Sequence, residues 1–306
     1  LALNLTFDIK QIMSAVIAPN NDHKNEPSNK LSALGQIRIV LVEPTHPGNI
    51  GSVARAMKTM GLSRLVLVNP KKFPHYEASK LAAGAESVLL SAEVVASTSE
   101  AISDCTMVLG TSVRDREVSW PTFSPRQTAA NVDQHVCQAD RQVAILFGRE
   151  SSGLTNAEMD LCQSQIRISA NQEYSSLNLA NAVQIIAYEL RMQLLDVEAG
   201  LTNSGDGNGD SKRQSIAVTE TSIVDANARE VIATNAQRSG YIEHLQKTLE
   251  SLDFIRAKPP TVLMRKLTRL YSKANLTVEE IQILRGILSA VESKIVSPET
   301  SATEGE

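Results

Sequence analysis

The chain has 306 residues, 42% hydrophobic and 21% charged, enough to bury a sizeable core and to hold one main domain with a smaller companion. Its apolar runs fall short of a bilayer-crossing length, and Cys105, Cys137 and Cys162 are too few and too scattered for a disulfide framework or a zinc site, so we expect a cytoplasmic protein without membrane or metal. A net charge of −4 does not by itself mark a nucleic-acid binder, but net charge is a poor guide when basic residues are gathered in one place.

Residues 1–36 show no sustained hydrophobic period, and Pro19 and Pro27 punctuate their polar part, so we expect a disordered or extraneous segment. It lacks the layout of a secretory signal. From Ile37 onward, short apolar runs at 37–42, 64–68, 88–90, 107–110, 143–147 and 165–169 alternate with helical stretches. Runs this continuous suit strands covered on both faces, so 37–196 reads as a doubly wound, mostly parallel α/β sheet. Asn49 to Met60 reads as a helix closed by Gly61. Residues 197–238 read as a flexible linker because 198–217 are rich in Gly, Asn, Asp and Ser.

A small all-helical domain is expected over 239–295. Its apolar stripes are Tyr241, Leu245, Leu249 and Leu252, then Leu263, Leu267, Leu270 and Tyr271, then Ile281, Leu284, Leu288 and Val291. Thr277 and Glu280 have capping-box spacing. Between Arg256 and Lys273 there are six basic residues and no acidic one. Arg265, Lys266 and Arg269 lie at the heart of this stretch and are candidate RNA contacts, although a solvated helix face would look the same. The tail, 296–306, is acidic, small-residue and expected to be disordered.

Three polar segments stand out in the α/β region. Gly48-Asn-Ile-Gly-Ser-Val-Ala-Arg-Ala56 and Phe147-Gly-Arg-Glu-Ser-Ser-Gly-Leu-Thr155 each follow an apolar run, at the strand ends where open α/β sheets bind ligands. Asn171-Gln-Glu-Tyr-Ser-Ser-Leu-Asn-Leu-Ala180 precedes a helical stripe of Val183, Ile186, Ala187, Leu190 and Leu194. Each has a plainer explanation. Asn49 could cap its helix, Arg55 could face solvent, Glu150 could pair with Arg149 or Arg114, and the third segment could be a well-capped helix start. The five scattered histidines lend hydrolase chemistry little support. A nicotinamide-dependent dehydrogenase would need a G-x-G-x-x-G turn, which Gly48-Asn-Ile-Gly51 does not supply.

With the three segments in this order, the chain resembles the SpoU–TrmH family of RNA ribose 2′-O-methyltransferases, within the SPOUT class. The resemblance runs from about Ile37 to Leu195 and resumes in the C-terminal helices. It implies a deep trefoil knot near the C-terminal end of the α/β domain, a homodimer, S-adenosylmethionine as donor, and tRNA as substrate, with cytidine or uridine at anticodon-loop position 32 as the target. The implied donor wall is Thr111, Ser112, Val113, Gly148, Ile168, Ser175, Ser176 and Leu177. Arg55, Ser176 and Asn178 are the implied catalytic group, with Asn49, Arg55 and Glu150 on the RNA and dimer side. The apolar face after Asn178 offers a possible dimer interface. A ribosomal-RNA methyltransferase of the same family and a catalytically silent RNA-binding module are the alternatives.

Overall fold

Alternation along the apolar runs decides the architecture. In β1 (Ile37–Val42), Ile37, Ile39 and Leu41 enter one core while Val40 and Val42 enter a second on the other face of the sheet. A strand buried on both sides belongs to the middle of a sandwich of helices. The computed structural model describes residues 30–114, 120–137, 141–171, 173, 176–198, 231–255 and 261–296.

After β1 the chain forms α1 (Pro47–Met60), β2 (Arg64–Val68), α2 (Tyr76–Ala82), α3 (Glu86–Leu90), β3 (Glu93–Val95), α4 (Thr98–Ala101) and β4 (Met107–Thr111). It continues with β5 (Thr122–Phe123), α5 (Pro125–Val136), β6 (Val143–Phe147), α6 (Asn156–Asp160), β7 (Ser164–Ile166) and α7 (Leu179–Glu198). The seven strands pair in parallel in the order β3-β2-β1-β6-β4-β7-β5. Helices α1, α2, α5 and α7 cover one face, and α4, α6 and Trp120 cover the other. The loops after β1, β4, β6 and β7 therefore open at the same end of the sheet.

Several expectations need correction. Residues 88–90 are not a strand: they end α3, and Leu90 is 87% exposed. A run of three apolar residues fits either a helix or a strand, and only neighbours decide between them. The edge strands β3 and β5 are only three and two residues long and fall outside the expected runs, and β7 covers 164–166 rather than 165–169. The segment before Ile37 is not wholly outside the fold. Lys30–Gln36 is a 3-10 helix, and Leu34 is buried in the first core; residues 1–29 lie outside the described residues. Cys105 and Cys162 are buried and Cys137 is exposed. The apolar face of α7, considered above as a dimer interface, is consumed by the chain's own core, with Val183, Ile186, Ala187, Leu190 and Leu194 all buried.

The C-terminal unit comprises α8 (Asn235–Ser251), α9 (Thr261–Lys273) and α10 (Val278–Val296) around Tyr241, Leu245, Leu276, Ile281 and Leu288. Tyr241 meets Tyr271 edge to face at 4.9 Å, the arrangement ring quadrupoles favour. Leu252 and Leu270, expected inside, are exposed. The linker reaches less far than 238, because Thr234 caps α8 and Ala233 is fully buried. That boundary was hidden because the contacts holding 233–238 are to backbone. The amides of Asn235 and Ala236 donate to the carbonyls of Cys105 and Ser103, and Arg238 Nη1 donates to Thr106 O at 3.1 Å. Burial lowers the Arg238 pKa to about 10. Arg265 adds an ion pair with Asp160 of α6 at 2.8 Å. The rest of the expected linker, 199–230, and the tail, 297–306, lie outside the described residues.

Helix α1 packs on α2 through Gly51, where a Cβ would lie 2.1 Å from the carbonyl oxygen of Ala78. Gly51→Ala should therefore cost about 1–3 kcal/mol of stability in urea unfolding. Gly35→Ala should be nearly silent, since among the described residues nothing lies within 4 Å of its Cβ position.

Candidate active site

The site forms where the loops after β1, β6 and β7 meet. The β6 loop turns sharply at Gly148, where a Cβ would lie 2.1 Å from the Gly153 carbonyl carbon. Gly153 closes the turn at φ 67 and donates to Arg149 O at 2.8 Å. Glycine at 148 is thus demanded by the loop's own return strand.

This tight turn displays Arg149 and Glu150 toward different neighbours. Arg149 donates to Glu43 at 2.8 Å and to Glu158 at 3.0 and 3.1 Å, tying the loop to the end of β1 and to α6. Glu43 sits at φ 47, a left-handed conformation unusual for a side chain of its size. The Arg149 hydrogen bond holds its carboxyl below the usual range. Glu158 also completes the capping box of α6 with Thr155.

Glu150 reaches across to the loop after β1. It accepts from Thr45 Oγ1 at 2.8 Å, the Thr45 amide at 3.1 and 3.2 Å, the His46 amide at 3.3 Å and Asn49 Nδ2 at 3.0 Å. Burial works to raise its pKa, but the hydrogen bonds from Asn49, its own backbone and Thr45 outweigh that and hold it at about 2. The carboxylate is paired with neutral donors, so the ion pair considered from sequence is replaced by a hydrogen-bonded anchor.

Asn49 passes the connection on. Its Oδ1 accepts from Asn178 Nδ2 at 3.2 Å, while Asn178 Oδ1 accepts from the Ala180 amide at 2.9 Å at the start of α7. Asn178 is thus both a helix cap and a link. Asn49 itself is not a cap, because α1 begins at Pro47 after His46. One residue from each of the three polar segments, Asn49, Glu150 and Asn178, stands in this chain.

Beside it lies a cavity of 260 Å³, bounded by Thr111, Ser112 and Val113, Gly148 and Glu150, Ile168, and Ser176 and Leu177. Every described member of the expected donor wall lines it; Ser175 lies outside the described residues. Thr111 Oγ1 donates to Leu146 O at 2.9 Å, and the Ser112 amide donates to Ile166 O at 3.2 Å, fixing the β4 loop against its neighbours. Sequence reading missed Thr45, Glu43, Arg149 and Glu158. The capping-box spacing of Thr155 and Glu158 was a visible signal for the last.

Arg55 stands apart. It is exposed, six residues along α1 from Asn49 and so about 120° around the helix. No hydrogen bond of its guanidinium is made among the described residues. Among the RNA candidates, Arg265 is engaged with Asp160, Lys266 is exposed, and Arg269 Nε is buried without a partner among the described residues. Arg256 and Lys258 lie outside the described residues. Among the described residues no helix is long and apolar enough to cross a membrane.

Known proteins resemble the chain over most of its length. A family model described as the SpoU rRNA Methylase family matches residues 36–188, and one for the C-terminal domain of the tRNA methyltransferase TrmJ matches 236–301. The chain is 44% identical over 256 residues to the tRNA (cytidine/uridine/adenosine-2′-O-)-methyltransferase TrmJ of Pseudomonas aeruginosa, covering 84% of this chain and 93% of that protein. It is also 44% identical over 261 residues to the tRNA (cytidine/uridine-2′-O-)-methyltransferase TrmJ of Salmonella typhimurium, covering 85% and 98%. The crystal structure of TrmJ from Z. mobilis ZM4 superposes with a TM-score of 0.67 at 32% identity, covering 83% of this chain and 98% of that one.

The depressed Glu150 carboxyl stabilises the fold above the ordinary carboxylate range near 4.5, and that contribution is lost as pH falls toward 2. In urea titrations Glu150→Gln should be less stable than the parent chain at pH 6, and the gap should close between pH 4.5 and 2. A gap that is constant with pH would show the anchor to be steric.

Proposed function

The chain belongs to the SpoU methylase family, and from that membership we propose that it transfers a methyl group from S-adenosylmethionine to a ribose 2′-hydroxyl of tRNA, on cytidine or uridine at position 32 of the anticodon loop. The observation that carries this reading is the Glu150–Asn49–Asn178 chain, which gathers the three polar segments at the rim of one cavity. The family's first model speaks of ribosomal RNA, but the match of the second to residues 236–301 favours tRNA.

The cavity suits the donor. Ile168, Leu177 and Leu179 offer apolar surface to a flat ring, and Gly148 and Gly153 line it with backbone alone. When bound, S-adenosylmethionine supplies a methyl group on a positively charged sulfur that departs as a neutral thioether. The chain's own task is to orient the ribose hydroxyl and receive its proton. The role proposed for Arg55 is to grip substrate phosphate and steady the developing alkoxide, with Ser176 or water taking the proton. Asn178 holds the Ser176 loop in place through its bond to Asn49. No step calls for a metal.

An exposed Arg55 turned away from Asn49 fits a site completed by a second copy, which supports a homodimer, to be read by sedimentation of the active enzyme. Its surface cannot be the α7 stripe, which the core already uses. Insertion of β6 between β1 and β4, and of β7 between β4 and β5, is consistent with the trefoil knot of the SPOUT class. A tRNA-modifying role supports a cytoplasmic setting for the activity. Lys266 and Arg269 are the proposed phosphate contacts of the C-terminal unit, and Arg265 positions α9 through Asp160.

Mass spectrometry of tRNA nucleosides from a strain lacking this gene should show loss of 2′-O-methylated cytidine or uridine at position 32; unchanged tRNA with altered ribosomal RNA would favour the ribosomal reading. Arg55→Ala should lower single-turnover methylation by roughly a hundredfold or more, with donor affinity unchanged in calorimetry and insensitive to chelator. Lys266→Ala with Arg269→Ala should weaken tRNA binding and flatten its salt dependence by about one to two counterions, again with donor affinity intact.

A further inference from the structure

A second cavity, of 420 Å³, lies at the opposite end of the sheet, among the first residues of β4 and β7, the inward face of α5 and the turn between α9 and α10. Met107, Pro121 and Phe123 give it an apolar side. Arg141 and Lys273 give it charge, one from the α/β domain and one from the C-terminal unit. Neither cation has an ion-pair partner among the described residues, and no carboxylate is among the described residues that line the space. His135 lines it as a neutral ring, since burial, helped by Arg141 and Arg238, lowers its pKa to about 4. It shares a 2.7 Å hydrogen bond with Thr106.

Thr128, Asn131 and His135 follow one another at helical spacing along α5 and bring polar groups to the same wall. Thr128 is 1% exposed, yet its hydroxyl oxygen has no hydrogen-bond partner among the described residues. Buried hydroxyls are ordinarily satisfied, because leaving one bare costs its full desolvation. A merely structural gap between two units would set its cations against carboxylates, as Arg265 is set against Asp160. Here two cations, an orphan hydroxyl and the amides of Asn131 and Asn275 surround space beside an aromatic ring. Flat heteroaromatic rings stack on such a ring, and phosphate is the anion that paired cations hold best.

We propose that this cavity binds a nucleoside monophosphate unit, with its phosphate held by Arg141 and Lys273 and its base against the Phe123 side, at a site distinct from the methyl-transfer cavity. The unit comes either as a free nucleotide or as one residue of a bound tRNA. The second source rests on the tRNA reading given above.

The test uses the full-length chain with the methyl cavity saturated by S-adenosylhomocysteine. Calorimetry with cytidine 5′-monophosphate and with cytidine is run beside tRNA binding by fluorescence anisotropy, on the parent chain and on Arg141→Ala/Lys273→Ala. The nucleotide should bind saturably, and cytidine and the double variant should each show a roughly tenfold or greater loss. Loss of nucleotide binding with unchanged tRNA affinity identifies a free nucleotide. A tenfold loss of tRNA affinity in the double variant identifies an RNA residue, whether or not the mononucleotide alone binds measurably. If both affinities are the same in parent and variant, the site is overturned. Should the double variant melt early, Arg141→Gln, which removes the charge and keeps a polar chain, and Thr128→Val, which keeps the side chain's shape, carry the same comparison. Affinity for S-adenosylhomocysteine must stay unchanged throughout, and a change would place the effect in the methyl cavity and overturn the proposal. Tritiated-methyl incorporation by the parent chain is read separately, so that failure of the tRNA reading is told apart from failure of this site.

Discussion

One carboxylate holds the candidate site in register. Glu150 leaves a loop that a glycine has folded back on itself, and it gathers donors from Thr45, His46 and Asn49 on the far side of the crevice. Its neighbour Arg149 makes the complementary connection to Glu43 and Glu158. Two adjacent residues of opposite charge therefore lash the β6 loop to the β1 loop and to α6, and Asn49 extends the lashing to Asn178 and α7. Peptide segments more than a hundred positions apart in the chain become a single rim. The rim's stiffness depends on a turn too tight for any side chain at 148.

A different kind of contact joins the two units of the chain. Only one ion pair, Arg265 with Asp160, is visible there among the described residues. The rest is carbonyl and amide: the first turn of α8 donates to the 103–105 backbone, and Arg238 is spent on carbonyl oxygens. Docking through backbone fixes orientation without drawing on many surface charges, which leaves Lys266 available to other partners. It also sets Lys273 over the base of β4 and β7.

How much was legible follows from what each residue touches. The central strands were plain because both faces of β1 and β6 are apolar, and Gly61 announced the end of α1. The edge strands β3 and β5 carried no such mark, since half their side chains face water. Donor-wall positions were named from family likeness, and the described ones line one space. Period and composition did not reveal that Glu150 is held by neutral donors, that the α7 stripe serves its own core, or that the C-terminal unit already includes Val231 and Ile232. All three depend on partners far away in sequence, and two of them on backbone groups, which leave no trace in residue type. Arg55 shows the converse: its type and place in a motif were evident, yet its surroundings within one chain give it nothing to act on.

Strand order has a consequence for how the chain is made. Among the described residues β4 hydrogen-bonds only to β6 and β7, and both lie downstream of it. A chain emerging from the ribosome thus presents Met107–Thr111 with two bare edges until Val143–Phe147 arrives, and β1 waits with one edge open for the same strand. Unpaired edges are templates for pairing with the wrong neighbour, and such non-local closure is slow. The late strand β6 closes the facing edges of β1 and β4 at once, and the other edge of β4 stays open until β7 follows, so the nascent chain is most in need of a chaperone until residue 166 has emerged.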